Sequence, residues 1–293
     1  MTGFGFGSAN GNGSGTEFLA MLPPPKEDLD GYDNTLPHNK QSPTVPQAFR
    51  DAMSVREDVY GEQGVPLEAE FDEDDARSWH WVVYASVAST ASSPPKDLRT
   101  DSPTTHAEDV RRSSASASRL PVGTIRLVPP PHGPNKYIET AYPKKGDRHA
   151  DADPPPEVEA NVARKHPTEP YVKLGRLAVL APYRKLGLAK LLINTALDYA
   201  SKHPEAIYHP PSPTTMELAN LLGNAAQEAV TWKGLVMIHA QAGIAKVWEK
   251  YGFAEELVDD KGEVEISREP HWVEEGIEHI GMWKRLRIES GRL

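Results

Sequence analysis

The stretch Tyr183-Arg-Lys-Leu-Gly-Leu-Ala-Lys190 sets two adjacent cations and two small residues directly after the apolar run Leu177-Ala-Val-Leu-Ala-Pro182. Arg184 and Lys185 can donate charge-assisted hydrogen bonds. Gly187 and Ala189 keep bulk away from the backbone, so its amides can be approached by an anion. A helix N-terminus offers such amides unsatisfied, together with a partial positive charge. The spacing Arg-x-x-Gly-x-Ala is neither a Walker A loop nor a Rossmann fingerprint. Alone, it reads first as a packing glycine on an amphipathic helix. Its place between a buried strand and a helix points instead to a turn built to hold a phosphate.

A second set of residues could move protons. His239 closes the apolar strand Gly234-Leu-Val-Met-Ile-His239, at the carboxyl end where open sheets place ligands. Histidine there can serve as a base near neutral pH, or simply bond to a neighbouring strand. His279, on the last strand, offers the same two readings. Glu62 can act as a base, pair with an ammonium, or be an ordinary loop carboxylate. The run Glu70-Phe-Asp-Glu-Asp-Asp75 reads as a solvated acidic turn or as an attractor for a cationic amine. Spacings such as His-Glu-x-x-His are absent, so no metal is expected.

Several elements must position these groups. After Pro46, Phe49, Met53, Val55 and Val59 recur as on a short amphipathic helix. Trp79–Ala88 is aromatic and β-branched, hence a strand. Pro121–Pro131 pairs back as a second strand, and Tyr171–Leu180 is a third, with a bulge expected at Gly175. From Lys185 the period becomes helical, with Leu188, Leu191, Leu192, Thr195, Ala196 and Tyr199 on one stripe and Pro204 as the stop. A further helix is expected from about Thr215. Gly234–Ala240 is a buried strand, followed by a helix carrying Ile244, Val247, Trp248 and Tyr251 on one face and capped by Gly252. Two strand-like segments close the chain. The predicted order, β-β-β-α-β-α-β-β around one core, defines an α+β domain over 46–290. Insertions near 90–119, 131–168 and 204–232 are poor in large apolar residues or rich in proline, and the first two are expected to be disordered. Residues 1–45 are expected to form a flexible Gly/Pro-rich segment.

Composition agrees with a partly unpacked chain: 38% hydrophobic residues, 27 Pro and 22 Gly in 293 residues. The absence of Cys excludes a disulfide framework, a thiolate metal site and a thiol nucleophile, and fits a reducing compartment. A net charge of −10 disfavours nucleic acid and anionic membranes and would steer a cationic partner favourably. There is no apolar run long enough to span a bilayer and no secretory h-region, so a cytoplasmic location is expected, with a nuclear one open.

The paired motifs resemble the GNAT acetyltransferase superfamily. Its Gln/Arg-x-x-Gly-x-Gly/Ala signature is matched by Arg184 through Ala189, and its last helix, typically ending Tyr-x-x-x-Gly-Phe, by Trp248-Glu-Lys-Tyr251-Gly252-Phe253. A narrower likeness to the ElaA-like branch is carried by Glu62, Gln63, Asp72, Asp75, His80, His279 and Met282. The resemblance implies a twisted, mixed, mostly antiparallel sheet flanked by helices, with two parallel central strands splayed apart to admit a pantetheine arm. It implies acetyl-CoA as co-substrate, held by Leu177, Ala178, Val179, Arg184, Lys185, Gly187, Leu188, Ala189, Lys190 and Trp248. It implies N-acetyl transfer to a primary amine of a small molecule or peptide, with a cationic amine expected and a homodimer allowed. Catalytic candidates are then His239, Tyr251, Glu62 and His279. The family's thiolate-protonating Tyr falls at Trp248, whose indole is no acid, which leaves the acid open: Tyr251, nearly one turn on, can take the role or face the core instead. The same departure leaves a second reading, a non-catalytic acyl-CoA-binding regulatory protein of this fold.

Overall fold

The computed structural model describes residues 14–16, 18–88, 117–132, 135, 167, 169–209, 212–223 and 231–288. Most of the expected insertions at 90–119 and 131–168 lie outside these residues. The chain divides into two compact units. One holds Met1–Asp72, Trp79–Ile125 and Leu177–Leu192; the other holds Glu73–Ser78, Arg126–Arg176 and Ile193–Leu293.

In the first unit, strands β1 (Ser14–Thr16) and β2 (Leu19–Leu22) form an antiparallel hairpin, and β2 continues antiparallel onto β3 (Trp79–Ala88), with Leu19 opposite Val83 and Leu22 opposite His80. Strand β4 (Ala117–Val128) lies next to β3, and the amide of Leu180, just past β5 (Val172–Val179), donates to Val122 of β4. Gly123 is required by this close approach. A Cβ there would lie 2.9 Å from Val83 and 3.3 Å from the Ala178 carbonyl. Helix α1 (Gln47–Gly61) follows Pro46 as expected and buries Phe49, Ala52, Met53, Val55 and Val59 at helical spacing. Ala52 packs on Val82 and Tyr84, and Val55 and Val59 on Ala178. Phe49 meets Tyr32, Phe71 and His80 edge-on.

The expectation for the N-terminal segment misses β2. Its four residues, followed at once by Pro23, are too few to show alternation, yet Leu22, Leu29 and Val45 are buried. Strand β1, at Ser14–Thr16, falls within the same expected flexible segment.

The second unit carries the mixed part of the sheet. Strand β5 runs parallel to β6 (Leu235–Gln241), β6 antiparallel to β10 (Ile277–Arg285), and β10 antiparallel to β9 (Trp272–Glu274). The parallel ladder spans Val172↔Val236 to Leu174↔Ile238 and stops there, while β6 continues through His239, Ala240 and Gln241 opposite β10. This is the parting of two parallel strands that the resemblance implies. The irregularity expected at Gly175 falls on its neighbour: Arg176 takes the left-handed conformation, with φ 52°. A small hairpin, β7 (Leu257–Val258) with β8 (Val264–Ile266), adds Ile266 to a core of Leu235, Met237 and Trp283.

Helix α2 (Leu188–Lys202) buries Leu192, Ile193, Ala196, Leu197 and Ala200. The expected stripe is thus rotated, and Leu191 is 42% exposed. Short helices α3 (Pro204–Ile207) and α4 (Pro213–Leu222) follow. The last helix, α5 (Ala245–Glu249), is shorter than expected, because a 3-10 turn takes Ala242–Ile244. Its predicted face is only half buried: Trp248 is inside, whereas Ile244 and Val247 are exposed. Among the described residues no helix is long and apolar enough to cross a membrane.

Candidate active site

The turn between β5 and α2 joins a strand to a helix, as its sequence suggests. Strand β5 ends at Val179, a 3-10 turn takes Ala181–Tyr183, and helix α2 begins at Leu188. Gly187 has φ 82°, a conformation that glycine adopts without steric cost. A Cβ at Gly187 would meet nothing within 4 Å, so the space before the helix is open. The amide of Leu191 donates to Gly187, which leaves the preceding amides of the first turn without intrahelical acceptors. No acidic residue lies in that turn to neutralise its positive end.

Arg184 stands across the turn. Its Nε donates to the Val179 carbonyl at 3.0 Å, and its terminal nitrogen lies 3.7 Å from Glu62 Oε2. Both side chains are about half exposed, so this ion pair is weak. The structure thus brings Glu62 to the phosphate turn as a neighbour of Arg184. Tyr60, absent from the sequence-based candidates, donates its hydroxyl to the Leu177 carbonyl at 3.2 Å. The carbonyls of Leu177 and Val179 therefore already have intramolecular donors. Ala178, between them, is buried against Val55 and Val59.

The remaining candidates lie in the second unit. His239 and His279 come together around Trp272: the His239 ring meets it edge-on at 4.6 Å, and the His279 ring stacks on it at 5.9 Å. His279 Nδ1 sits 2.8 Å from the Ile277 carbonyl, which places its proton on that nitrogen. The His239 residue is only partly buried, but its Nε2 is sealed from solvent with no hydrogen-bond partner among the described residues. Burial, reinforced by Lys173, His279 and His132, pushes its pKa down to about 3. His239 is therefore neutral at physiological pH, and an activity limb near an ordinary histidine value would not come from it.

Trp248, counted from sequence with the cofactor-binding residues, is buried with its ring edge-on to Phe253 at 5.4 Å. Tyr251 is half buried, and its carbonyl accepts from the Lys284 ammonium.

The acidic turn requires a correction. Glu70 and Asp75 are fully buried. Glu70 pairs with Arg56 at 3.6 Å within the first unit, and Asp75 with Arg126 at 2.8 Å within the second. Glu70 and Asp75 are thus neutralised inside the fold, so the run is not a solvated turn throughout.

Sequence reasoning also misses a polar group around His239: Lys173, Glu269, His132 and Tyr171. His132 stacks on Tyr171 at 4.8 Å, and burial, with Lys173 and Arg77 beside it, lowers its pKa to about 3. Both imidazoles should make the fold acid-sensitive. Their folded pKa lies below the unfolded value of about 6.5, so only the unfolded chain takes up protons as pH falls from there toward 3. Between pH 7 and 5 each should cost about 2 kcal/mol. Buried Glu269, raised above its ordinary value by desolvation, acts in the opposite sense, losing stability as pH rises. Urea midpoints of wild type, His132→Asn and His239→Gln at pH 7 and 5 separate the two. Each substitution should remove about 2 kcal/mol of the acid-induced loss, and an unchanged loss would place that imidazole in water.

The sequence profile of the acetyltransferase (GNAT) family matches residues 74–209, the stretch that runs from before β3 through the phosphate turn and α2. Those residues are thus similar to a GNAT acetyltransferase domain. Among solved structures, the chain is similar to an acyl-CoA N-acyltransferase from Pseudomonas aeruginosa, at 15% identity over 85% of this chain and 95% of that one, with a TM-score of 0.37. It is similar to ElaA from Escherichia coli at 15% identity over 85% of this chain and 96% of that one, with a TM-score of 0.36. No curated protein matches the sequence.

Proposed function

We propose that this chain transfers an acetyl group from acetyl-CoA to a primary amine. The observation that carries the reading is the N-terminus of α2, which has no acidic residue in its first turn, with left-handed Gly187 and open space before it and Arg184 and Lys185 beside it. Those amides would hold the pyrophosphate, with Gly187, Leu188, Ala189 and Lys190 in direct contact. The backbone of Leu177 and Val179 would line the pantetheine arm, sharing carbonyls that Tyr60 and Arg184 already use. The co-substrate supplies an activated acyl group. The chain must then place the amine, take its proton and deliver one to the departing sulfur. His239, His279, Glu62 and Tyr251 are the sequence-derived candidates for those proton transfers, and His239, held neutral, is better suited to hydrogen bonding than to storing a proton.

Removal of a charged donor to a phosphate costs about 1.5–3 kcal/mol, roughly ten- to hundredfold in affinity. Arg184→Ala should weaken acetyl-CoA binding by that factor in calorimetry, with the thermal midpoint unchanged. Wild-type affinity would detach Arg184 from the cofactor site.

One observation favours a second reading. Trp248 occupies the place of the family's thiolate-protonating Tyr and is buried, its indole N–H without a partner among the described residues. A non-catalytic acyl-CoA-binding protein would tolerate that exchange. Release of free CoA with an amine panel supports turnover; binding with no release under any amine supports the second reading.

A further inference from the structure

Two hairpins of the second unit meet at one imidazole. His271 immediately precedes β9, and its ring lies between two carboxylates. Its Nδ1 is 3.0 Å from Glu278 Oε1, and its Nε2 is 3.0 Å from Glu255 Oε2. Glu278 is on β10, opposite Val273 of β9. Glu255 leads into β7 and follows Ala254, which exchanges both backbone hydrogen bonds with Trp283 of β10. One side chain thus fastens the approach to β7, the approach to β9 and the start of β10.

An ionised carboxylate only accepts hydrogen bonds, and a neutral imidazole has one N–H and one lone pair. With a carboxylate at each ring nitrogen, both bonds exist only when the ring carries both protons. The geometry is that of an imidazolium between two anions. Desolvation disfavours the charge, but the hydrogen bonds to Glu278 and Glu255, with the charges behind them, outweigh it. The His271 pKa therefore lies above its ordinary value.

The two arms differ. The Glu255 side chain is 23% exposed, and the oxygen that faces His271 also lies 3.0 Å from Arg268 Nε. The Glu278 side chain is 59% exposed. Around the ring, then, Glu255 comes from the chain before β7 and Glu278 from β10, while Arg268, from the chain before β9, stands behind Glu255. Once the ring loses a proton, a lone pair must face one of the carboxylates. Glu255 is the more enclosed and is held in place by Arg268, so leaving it without the ring N–H costs more. Glu278 is the arm that lets go, because water can satisfy it.

We propose that His271 is a proton-operated clasp: protonated, it ties the β9–β10 hairpin to the segment entering β7, and on giving one proton to water it releases Glu278 and loosens that hairpin. The loosened strand carries His279, directly after Glu278, but the inference does not depend on acyl transfer. By linkage, a pKa raised in the folded state means that the clasp contributes fully below the unfolded value of about 6.5. Its contribution is lost as pH rises through the folded value. That sign is opposite to the one set by His132 and His239, whose burial weakens the fold as pH falls.

The test uses the full chain carrying nitrogen-15-labelled histidine. An NMR titration should give His271, identified by the signal missing from His271→Phe, a midpoint above about 6.5. Glu278→Gln and Glu255→Gln should each move that midpoint down, since each removes an anion that favours the charged ring. Amide hydrogen exchange reads the consequence against His271→Phe, which keeps a ring and removes both donors. At about pH 5.5 the carboxylates are still ionised and the ring holds both protons, so the β9–β10 amides should exchange more slowly in wild type. At about pH 8.5 that difference should shrink towards nothing. Comparing the two proteins at each pH cancels the pH dependence of exchange itself and the acid sensitivity due to His132 and His239. A midpoint at or below about 6.5, or one that either glutamine variant leaves in place, would overturn the clasp. A raised midpoint with the same exchange difference at both pH values would mean a charged ring that moves nothing, and would overturn it equally.

Discussion

Arg126→Met should destabilise the fold by about 3–5 kcal/mol, the usual cost of removing one partner from a buried ion pair. Asp75 is completely enclosed and its carboxylate lies 2.8 Å from the Arg126 guanidinium, so the substitution takes the cation away from a buried carboxylate. The pair itself need not stabilise the fold relative to apolar residues of similar size, because desolvation offsets much of its attraction. The joint replacement Arg126→Met with Asp75→Leu should therefore recover much of what the single one loses. Urea unfolding of the single and double variants measures both quantities. A loss under about 1 kcal/mol for Arg126→Met would mean that Asp75 is not held as a buried charge.

Gly187→Val should abolish measurable acetyl-CoA binding, a larger effect than the roughly ten- to hundredfold expected for Arg184→Ala. Two causes combine. At φ 82° a β-branched residue is strained, so the turn must change shape or carry the strain. Its side chain would also project into the open space before α2, where the pyrophosphate is proposed to sit. Arg184, Lys185, Leu186 and Gly187 are exposed, so the thermal midpoint should move much less than the affinity. Calorimetry beside a melting curve separates the two, and near wild-type affinity would sink the proposed phosphate site.

What the sequence reveals and what it hides follow from the range of the forces involved. The turn between β5 and α2 is legible because its parts are contiguous: strand, cations, glycine and helix start within a few residues. Helix α1 and strand β3 are legible through their own periodicity. The acidic turn misleads because a carboxylate looks solvated until its partner is known, and the partners Arg56 and Arg126 stand well away in the chain. Lys173 and Glu269 are invisible for the same reason, since only the register of β5, β6 and β10 and the packing over it bring them near His239. Strand β2 is hidden by its brevity, and the buried face of α2 is displaced because Leu188 and Leu191 sit at the outer start of the helix.

The hairpin partner of β3 bears on how this protein can be handled. Leu19–Leu22 occupy the backbone donors and acceptors along Val83 to His80. Trimming the Pro-rich leader at Pro46, an obvious cut by composition, would uncover a strand edge carrying Trp81, Val82 and Val83. Bare edges of that kind recruit other chains by adding strand to strand. A protein shortened there would tend to precipitate or self-associate even with its phosphate turn untouched, so a shortened form intended for crystallisation should retain the chain from at least Ser14.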